Sequence, residues 1–165
     1  MMAIQGPLGR LQGSKASADD LLGLIPQPGL NQLAQFRQVF ERILKPGLAT
    51  WRGPWALGPT FTGSALIRAD ADLIAAGLLL DLKTSAKLSL PATDILQVIG
   101  YALLDFDDEF QLSNAGIFSA RYGYLAMWEL GSLLHDLAGH EVSLPATREE
   151  FRRLLLTHQH RSLPR

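Results

Sequence analysis

Residues 69–84 read ADADLIAAGLLLDLKT, and this stretch decides the fold that we expect. Two arms of strand-forming residues, 69–75 and 78–84, meet at Ala76 and Gly77, where glycine suits a tight turn. Three carboxylates and a lysine lie within these otherwise apolar arms. Strands with runs of leucine usually belong to a core, and charges placed in a core need partners or a metal. The stretch therefore predicts a β-hairpin that carries a charged cluster.

The register of this hairpin sets where its charges point. A two-residue loop places Asp72 opposite Asp81 and Asp70 opposite Lys83. Because side chains alternate along a strand, these four would share one face and the neighbouring leucines the other. A register shifted by one residue would separate Asp72 from Asp81. Carboxylates beside an ammonium suit a divalent metal ion, whereas an Asp-x-Lys pair alone is also typical of a solvated ion pair.

Length, charge and cysteine content limit the classes of protein to which the chain can belong. Its 165 residues fit one domain that buries about 70% of its unfolded surface. There are no cysteines, which excludes disulfides, thiolate zinc sites, cysteine-ligated iron–sulfur clusters and a cysteine nucleophile, and fits a cytoplasmic protein. A net charge of −1 predicts weak non-specific binding to nucleic acid. No signal peptide or membrane-spanning run is expected, and hence no membrane partner.

Hydrophobic periodicity and the positions of glycine and proline predict the order of secondary structure. Pro46 and Gly47 are expected to end the second helix and to open an irregular loop over residues 46–63. The expected elements are helices 19–25 and 31–45, strands 61–68, 69–75 and 78–84, helix 93–106, strands 115–120 and 124–130, and helices 131–137 and 147–158.

The domain organisation and fold class follow from that order. Residues 1–17 are expected to form a flexible arm, and residues 18–165 a single domain. Its core would cover about residues 30–131, followed by C-terminal helices over residues 132–160. A strand meander, a crossover helix and a further strand predict an α/β fold, in which helices flank a mixed β-sheet.

A polar pair lies on the predicted crossover helix. Gln97 follows Lys83 by fourteen residues, and Tyr101 follows Gln97 by four. Positions i and i+4 share a helix face, so both side chains can reach over the sheet edge toward the charged cluster. Taken alone, the pair also fits an exposed glutamine beside a half-buried tyrosine.

The combination of a carboxylate, Asp-x-Lys-Thr at a strand end and a helix with Gln-x-x-x-Tyr resembles the PD-(D/E)XK nuclease superfamily, most closely its RecB-like branch. The resemblance covers about residues 64–130 and implies a restriction-endonuclease-like fold with an αβββαβ core. It implies that Asp72 matches the first metal-binding aspartate, with Asp70 as the alternative. Asp81 and Lys83 would match the (D/E)-x-K pair.

The same resemblance assigns the remaining candidate residues. Gln97 and Tyr101 would match the helix motif that orients water or contacts the nucleic-acid backbone. The carbonyl of Leu82 would bind metal beside the two aspartates. Asp70 or Glu41 would serve a second metal ion.

The resemblance implies a reaction as well as a fold. Mg²⁺, or Mn²⁺ in its place, would lower the pKa of a bound water and polarise the phosphate. Lys83 would position that water and stabilise developing negative charge. We therefore expect a metal-dependent nuclease acting on DNA in genome defence or repair, directed by a recruiting protein or a homodimer. The alternative is a non-catalytic nuclease-fold module that binds protein or nucleic acid; the intact set of Asp72, Asp81 and Lys83 favours the enzyme.

Overall fold

The structure is a computed structural model that describes residues 17–50 and 52–162. The flexible arm expected over residues 1–17 lies, apart from Ser17, outside the described residues. The chain divides into two compact units between Gln38 and Val39. None of the helices within the described residues is long and apolar enough to cross a bilayer.

The first unit holds helix α1 (Ala18–Gly23) and nearly all of helix α2 (Gln27–Val39). Ser17 precedes α1, and its Oγ accepts a hydrogen bond from the Asp20 N–H at 3.1 Å. Asp20 in turn accepts the Ser17 N–H at 2.8 Å, so the two residues cap the helix start reciprocally.

The helical segment at the start of the second unit continues past Pro46, where a loop was expected. A π-helical turn (Phe40–Leu44) leads directly into helix α3 (Lys45–Thr50), so the prediction that Pro46 ends the helix is wrong. The turn brings the Lys45 N–H to the Phe40 carbonyl, one residue further back than in an α-helix. A new helix thus starts at this point, and proline is tolerated in a first turn because its missing N–H is not needed there.

A five-stranded mixed sheet forms the centre of this unit, in the spatial order β1-β2-β3-β4-β5. Its elements are β1 (Trp55–Leu57), β2 (Leu73–Ala75), β3 (Leu78–Lys83), helix α4 (Ala92–Leu104), β4 (Asn114–Ser119), β5 (Tyr124–Glu129), helix α5 (Leu130–Ala138) and helix α6 (Leu144–Ser162). Strands β3 and β4 are parallel and α4 connects them, whereas the other neighbouring strands are antiparallel. The expected α/β fold with a mixed sheet is therefore confirmed.

The hairpin of β2 and β3 has the expected loop and register. Leu73 pairs with Leu80, and Ala75 pairs with Leu78. The loop residues Ala76 and Gly77 have φ angles of 49° and 80°, the left-handed values that a two-residue hairpin turn requires. A side chain at Gly77 would also meet the backbone carbonyl of Gln111 at 2.9 Å.

The prediction of a strand over residues 61–68 is wrong. A 3-10 helix (Thr62–Ala65) occupies this segment, because the Ser64 hydroxyl accepts the Phe61 N–H at 2.9 Å and donates to the Ala69 carbonyl at 2.6 Å. Such local side-chain bonds compete with a strand ladder. The first strand is instead β1, inside the expected irregular loop.

One face of the sheet packs against α4. Leu79 and Ile117 on the strands join Val98 and Ala102 of the helix in one buried cluster. Leu80 and Phe118, on the opposite face, are also fully buried. Burial on both faces explains why β3 begins with three leucines rather than an alternating pattern.

Arg148 of α6 fixes the end of α4. It is 3% exposed and donates to the Ala102 carbonyl at 3.0 Å, to Asp105 at 3.2 Å and to Asp108 at 2.5 Å. Asp105 also accepts the Glu109 N–H at 3.0 Å. The acidic loop after α4 is thus an ordered cap that holds the helix in place over the sheet.

Candidate active site

Asp72 and Asp81 lie side by side at the end of the hairpin. The last pair of the β2–β3 ladder is Leu73 with Leu80, and Asp72 and Asp81 are the next residue on each side of that pair. Strand β2 begins only at Leu73, so the Asp72 side chain, rather than a strand partner, takes the Leu82 N–H, with Oδ2 at 2.6 Å. This hydrogen bond holds the Asp72 carboxylate next to Leu82, the residue that follows Asp81.

Asp81 is a buried carboxylate, with 5% of its surface exposed. Burial raises the pKa of Asp81; Lys83 opposes that rise, while the charges of Asp72 and Asp94 add to it. Its Oδ2 lies 2.9 Å from Lys83 Nζ as an ion pair, but has no well-aligned hydrogen bond among the described residues. A further cation near Asp81 would therefore favour its ionised form.

Lys83 points to the same face as Asp81 and is held from several sides. Besides Asp81, its ammonium donates to Gln97 Oε1 at 2.8 Å and lies 3.7 Å from Asp94 Oδ1. Partial burial lowers the pKa of Lys83, but the hydrogen bond and charge of Asp81, with the charges of Asp94 and Tyr101, raise it by more, so the net shift is upward. Lys83 is thus a fixed cation.

Helix α4 supplies the polar groups above the cluster. Gln97 Nε2 donates to the Tyr101 hydroxyl at 2.6 Å while its Oε1 holds Lys83. The Tyr101 ring stacks on Phe61, with centroids 6.2 Å apart and an interplanar angle of 19°. A continuous polar chain therefore runs from Asp81 to Tyr101 and is anchored in the core at its far end.

Two polar residues in this region were not singled out from the sequence. Asp94 lies three residues before Gln97, so the shared helix face could have revealed it. An acidic residue in the first turn of a helix is ordinary, however, and gave no separate signal. Ser119 is opposite Lys83 on β4, a pairing between distant strands that no local pattern predicts.

Other expected residues lie elsewhere or have a different partner. Asp70 was expected opposite Lys83, but the hairpin ladder ends at Leu73, and Asp70 pairs with Thr60 instead. Glu41 lies exposed on the π-helical turn. Across residues 17–50 and 52–162, no three acidic or histidine side chains form a group suited to a metal ion.

The two carboxylates that do come together fit a hard divalent cation. Asp72, just before β2, and Asp81, on β3, each offer carboxylate oxygens, and Mg²⁺ is typically bound by one or two carboxylates while it keeps several waters. Burial is the main cause of the raised pKa of Asp81, and the charges of Asp72 and Asp94 add to it, so a cation beside the two carboxylates would favour the ionised form of Asp81. The carbonyl of Leu82 belongs to the same strand segment.

The arrangement combines an anionic pair with a fixed cation at the end of one strand. Such a set can hold a metal ion on one side and a negatively charged oxygen on the other. No protein-family model, curated protein or solved structure matches this chain.

Proposed function

We propose that the protein is a metal-dependent nuclease of the PD-(D/E)XK superfamily, a phosphodiester hydrolase that acts on DNA. The observation that carries the proposal is the chain of contacts Asp81–Lys83–Gln97–Tyr101, with Asp72 held beside it. These are the five residues that the motif resemblance assigns to catalysis. Their side chains come from a strand end and one helix face, as that resemblance implies.

The roles of the residues follow from their positions. Asp72 and Asp81 would hold Mg²⁺ or Mn²⁺, together with the Leu82 carbonyl. When bound, the metal lowers the pKa of a coordinated water and polarises the phosphate. Lys83 stabilises negative charge on a phosphate oxygen, since its raised pKa keeps it protonated. Gln97 holds the Lys83 ammonium in place, and Tyr101 fixes Gln97 from the core side.

The biological setting is part of the proposal and rests on the resemblance. Nucleases of this kind serve genome defence or DNA repair. A net charge of −1 gives little general attraction to DNA, so a recruiting protein or a second copy of the chain would bring the site to its substrate.

Cleavage of labelled DNA tests the proposal directly. Single-stranded DNA, double-stranded DNA and RNA are incubated with the protein in Mg²⁺, Mn²⁺ or EDTA. We expect metal-dependent cutting of DNA that falls at least about 100-fold in Asp81→Asn and Lys83→Met. Asp136→Asn and Lys87→Met serve as matched controls, because each removes the same charge from an exposed position outside the polar chain.

The outcome also separates the enzyme from a binding module. Absence of cutting by any form, together with absence of Mg²⁺ or Mn²⁺ binding in calorimetry, would leave the non-catalytic module as the better account. Metal binding at Asp72 and Asp81 without cutting would indicate that a partner completes the site.

A further inference from the structure

A small pocket opens beside Lys83 on the face that carries the candidate site. It has a volume of about 190 Å³. Apolar side chains make most of its walls, and Lys83, Ser89, Ser119 and Tyr124 add polar atoms. A pocket for a drug-sized ligand has roughly 300–1,000 Å³. This one therefore suits a smaller and mostly apolar group.

The sheet register places the pocket next to the proposed chemistry. Lys83, Ser119 and Tyr124 form one row across β3, β4 and β5. Neighbouring strands are about 4.8 Å apart, so Tyr124 lies about 10 Å from the Lys83 backbone on the same face. A phosphate held at Lys83 would thus leave its own sugar and base within reach of Tyr124.

The floor of the pocket carries an unused hydrogen-bonding group. Ser119 is 8% exposed, and its Oγ has no hydrogen-bond partner among the described residues. A buried hydroxyl without a partner is costly, and each such group in a native protein needs an explanation. Ser119 lines the pocket, so a ligand with a donor or acceptor on its edge would satisfy this hydroxyl once the Ser119 side chain turns toward it.

An ordered loop forms the outer wall. The Tyr122 hydroxyl, in the turn between β4 and β5, donates to the Ala86 carbonyl at 2.5 Å. This contact fixes the segment that leads to Leu88 and Leu90. Both leucines line the pocket, and they are 55% and 40% exposed. Tyr124, which is 55% exposed, completes this rim, and the rim is therefore apolar and aromatic.

We infer that this pocket receives one unstacked nucleobase of a single-stranded DNA substrate, next to the phosphodiester held at Asp81 and Lys83. The inference rests on the proposed nuclease function and names its substrate form. A base has flat π-faces for Tyr124 and the leucines, and polar edge atoms for Ser119. A base inside a duplex is stacked and paired, so it must leave the helix before it can enter.

Binding in EDTA tests the inference without any need for cleavage. Fluorescence anisotropy measures the affinity of the full chain for a short labelled single-stranded DNA and for the same strand made abasic. We expect the wild type to prefer the base-bearing strand, and Tyr124→Ala to weaken that binding by at least about 5-fold, the lower end of base–aromatic stacking. Binding of the abasic strand should not change.

Two further variants keep the test independent of one side chain. Ser119→Ala removes only the unpartnered hydroxyl and should weaken binding of the base-bearing strand by about 2- to 10-fold. Met127→Ala is the matched control, since Met127 is 50% exposed on the same strand as Tyr124 but at an odd spacing that puts it on the other face. It should bind like the wild type.

Each contrary result has a distinct meaning. Equal affinity for base-bearing and abasic strands would overturn the pocket and leave the nuclease intact if cutting is seen. Base-dependent binding lost in Tyr124→Ala, without cutting by any form, would support the pocket while the nuclease proposal fails. Tighter binding of a single-stranded RNA would overturn the assignment to DNA. Self-association abolished by Tyr124→Ala in sedimentation would show a protein interface instead.

Discussion

Gln97 Oε1 accepts a hydrogen bond from Lys83 Nζ at 2.8 Å, and this contact ties helix α4 to the end of strand β3. The crossover between two parallel strands thereby becomes part of the candidate site. A change on the helix is expected to act on the lysine ammonium without touching the carboxylates.

Gln97→Ala should lower kcat for DNA cleavage by about 10- to 100-fold with little change in KM, because a misplaced catalytic group costs that much. The Lys83 ammonium loses the oxygen that orients it, while its contact with Asp81 remains. Gln159→Ala is the control, since Gln159 is an exposed glutamine that bonds the Leu66 carbonyl on the surface. Unchanged kcat in Gln97→Ala would remove Gln97 from the proposed site.

Asp81→Asn should stabilise the fold near neutral pH even as it abolishes cutting. Burial raises the pKa of Asp81 above its ordinary value of 3.8, and Lys83 offsets only part of that rise. Between the two pKa values the folded chain binds more protons than the unfolded chain, so wild-type stability falls as the pH rises through this window. Asparagine does not titrate, so Asp81→Asn does not lose stability as the pH rises through this window.

Thermal unfolding as a function of pH measures this difference. The Tm of Asp81→Asn should exceed that of the wild type near neutral pH, with each kcal/mol worth about 2–4 °C in a chain of this size. The gap should close as the pH falls well below 3.8, the ordinary pKa of an aspartate, because Asp81 is then protonated in both the folded and the unfolded state. Asp70→Asn, at an exposed position, should track the wild type throughout. A lower Tm for Asp81→Asn at every pH would contradict the expectation.

Mg²⁺ binding should release protons on the acid side of neutrality. A carboxylate must be ionised to bind the metal, and the raised pKa of Asp81 moves that requirement to higher pH than for an ordinary aspartate. Calorimetry in two buffers of different ionisation enthalpy measures the release. Asp81→Asn should show none, and buffer-independent heats in the wild type would argue against Asp81 as a ligand.

Arg148→Ala should destabilise the protein by about 3–5 kcal/mol, because it leaves the fully buried Asp105 without its cation. Burial raises the pKa of Asp105 even with Arg148 present. Without Arg148, Asp105 must either stay charged in a buried position or take up a proton, and both reduce the free energy of unfolding. Arg153→Ala on the same helix is the matched control. Its i,i+4 pair with Glu149 is exposed and should contribute at most about 0.5 kcal/mol in urea unfolding.

The centre of the fold was predictable because local chemistry determined it. Ala76 and Gly77 form a two-residue turn, and that turn sets the register that brings Asp72 beside Asp81. The i,i+4 spacing of Gln97 and Tyr101 likewise gave their shared helix face. Predicting which face these side chains share required only the repeat of side chains along a strand and along a helix.

The rest of the site depended on contacts that no local pattern contains. Ser64 folds its segment into a 3-10 turn through its own hydroxyl, which a strand-like run of residues did not reveal. Asp70 consequently pairs with Thr60 and leaves the register that the hairpin alone would give it. Ser119 meets Lys83 only through the parallel pairing of β3 with β4, which is decided by tertiary packing.

That parallel pairing also orders events during synthesis. Strand β3 leaves the ribosome with Asp81 and Lys83 before α4 and β4 exist, and until Ile117 is in place α4 can pack only on the earlier part of its cluster, such as Leu79. A growing chain therefore carries Asp81 and Lys83 for some time before the residues around them are in place. A protein able to cut DNA would acquire that ability only once β4 has paired with β3.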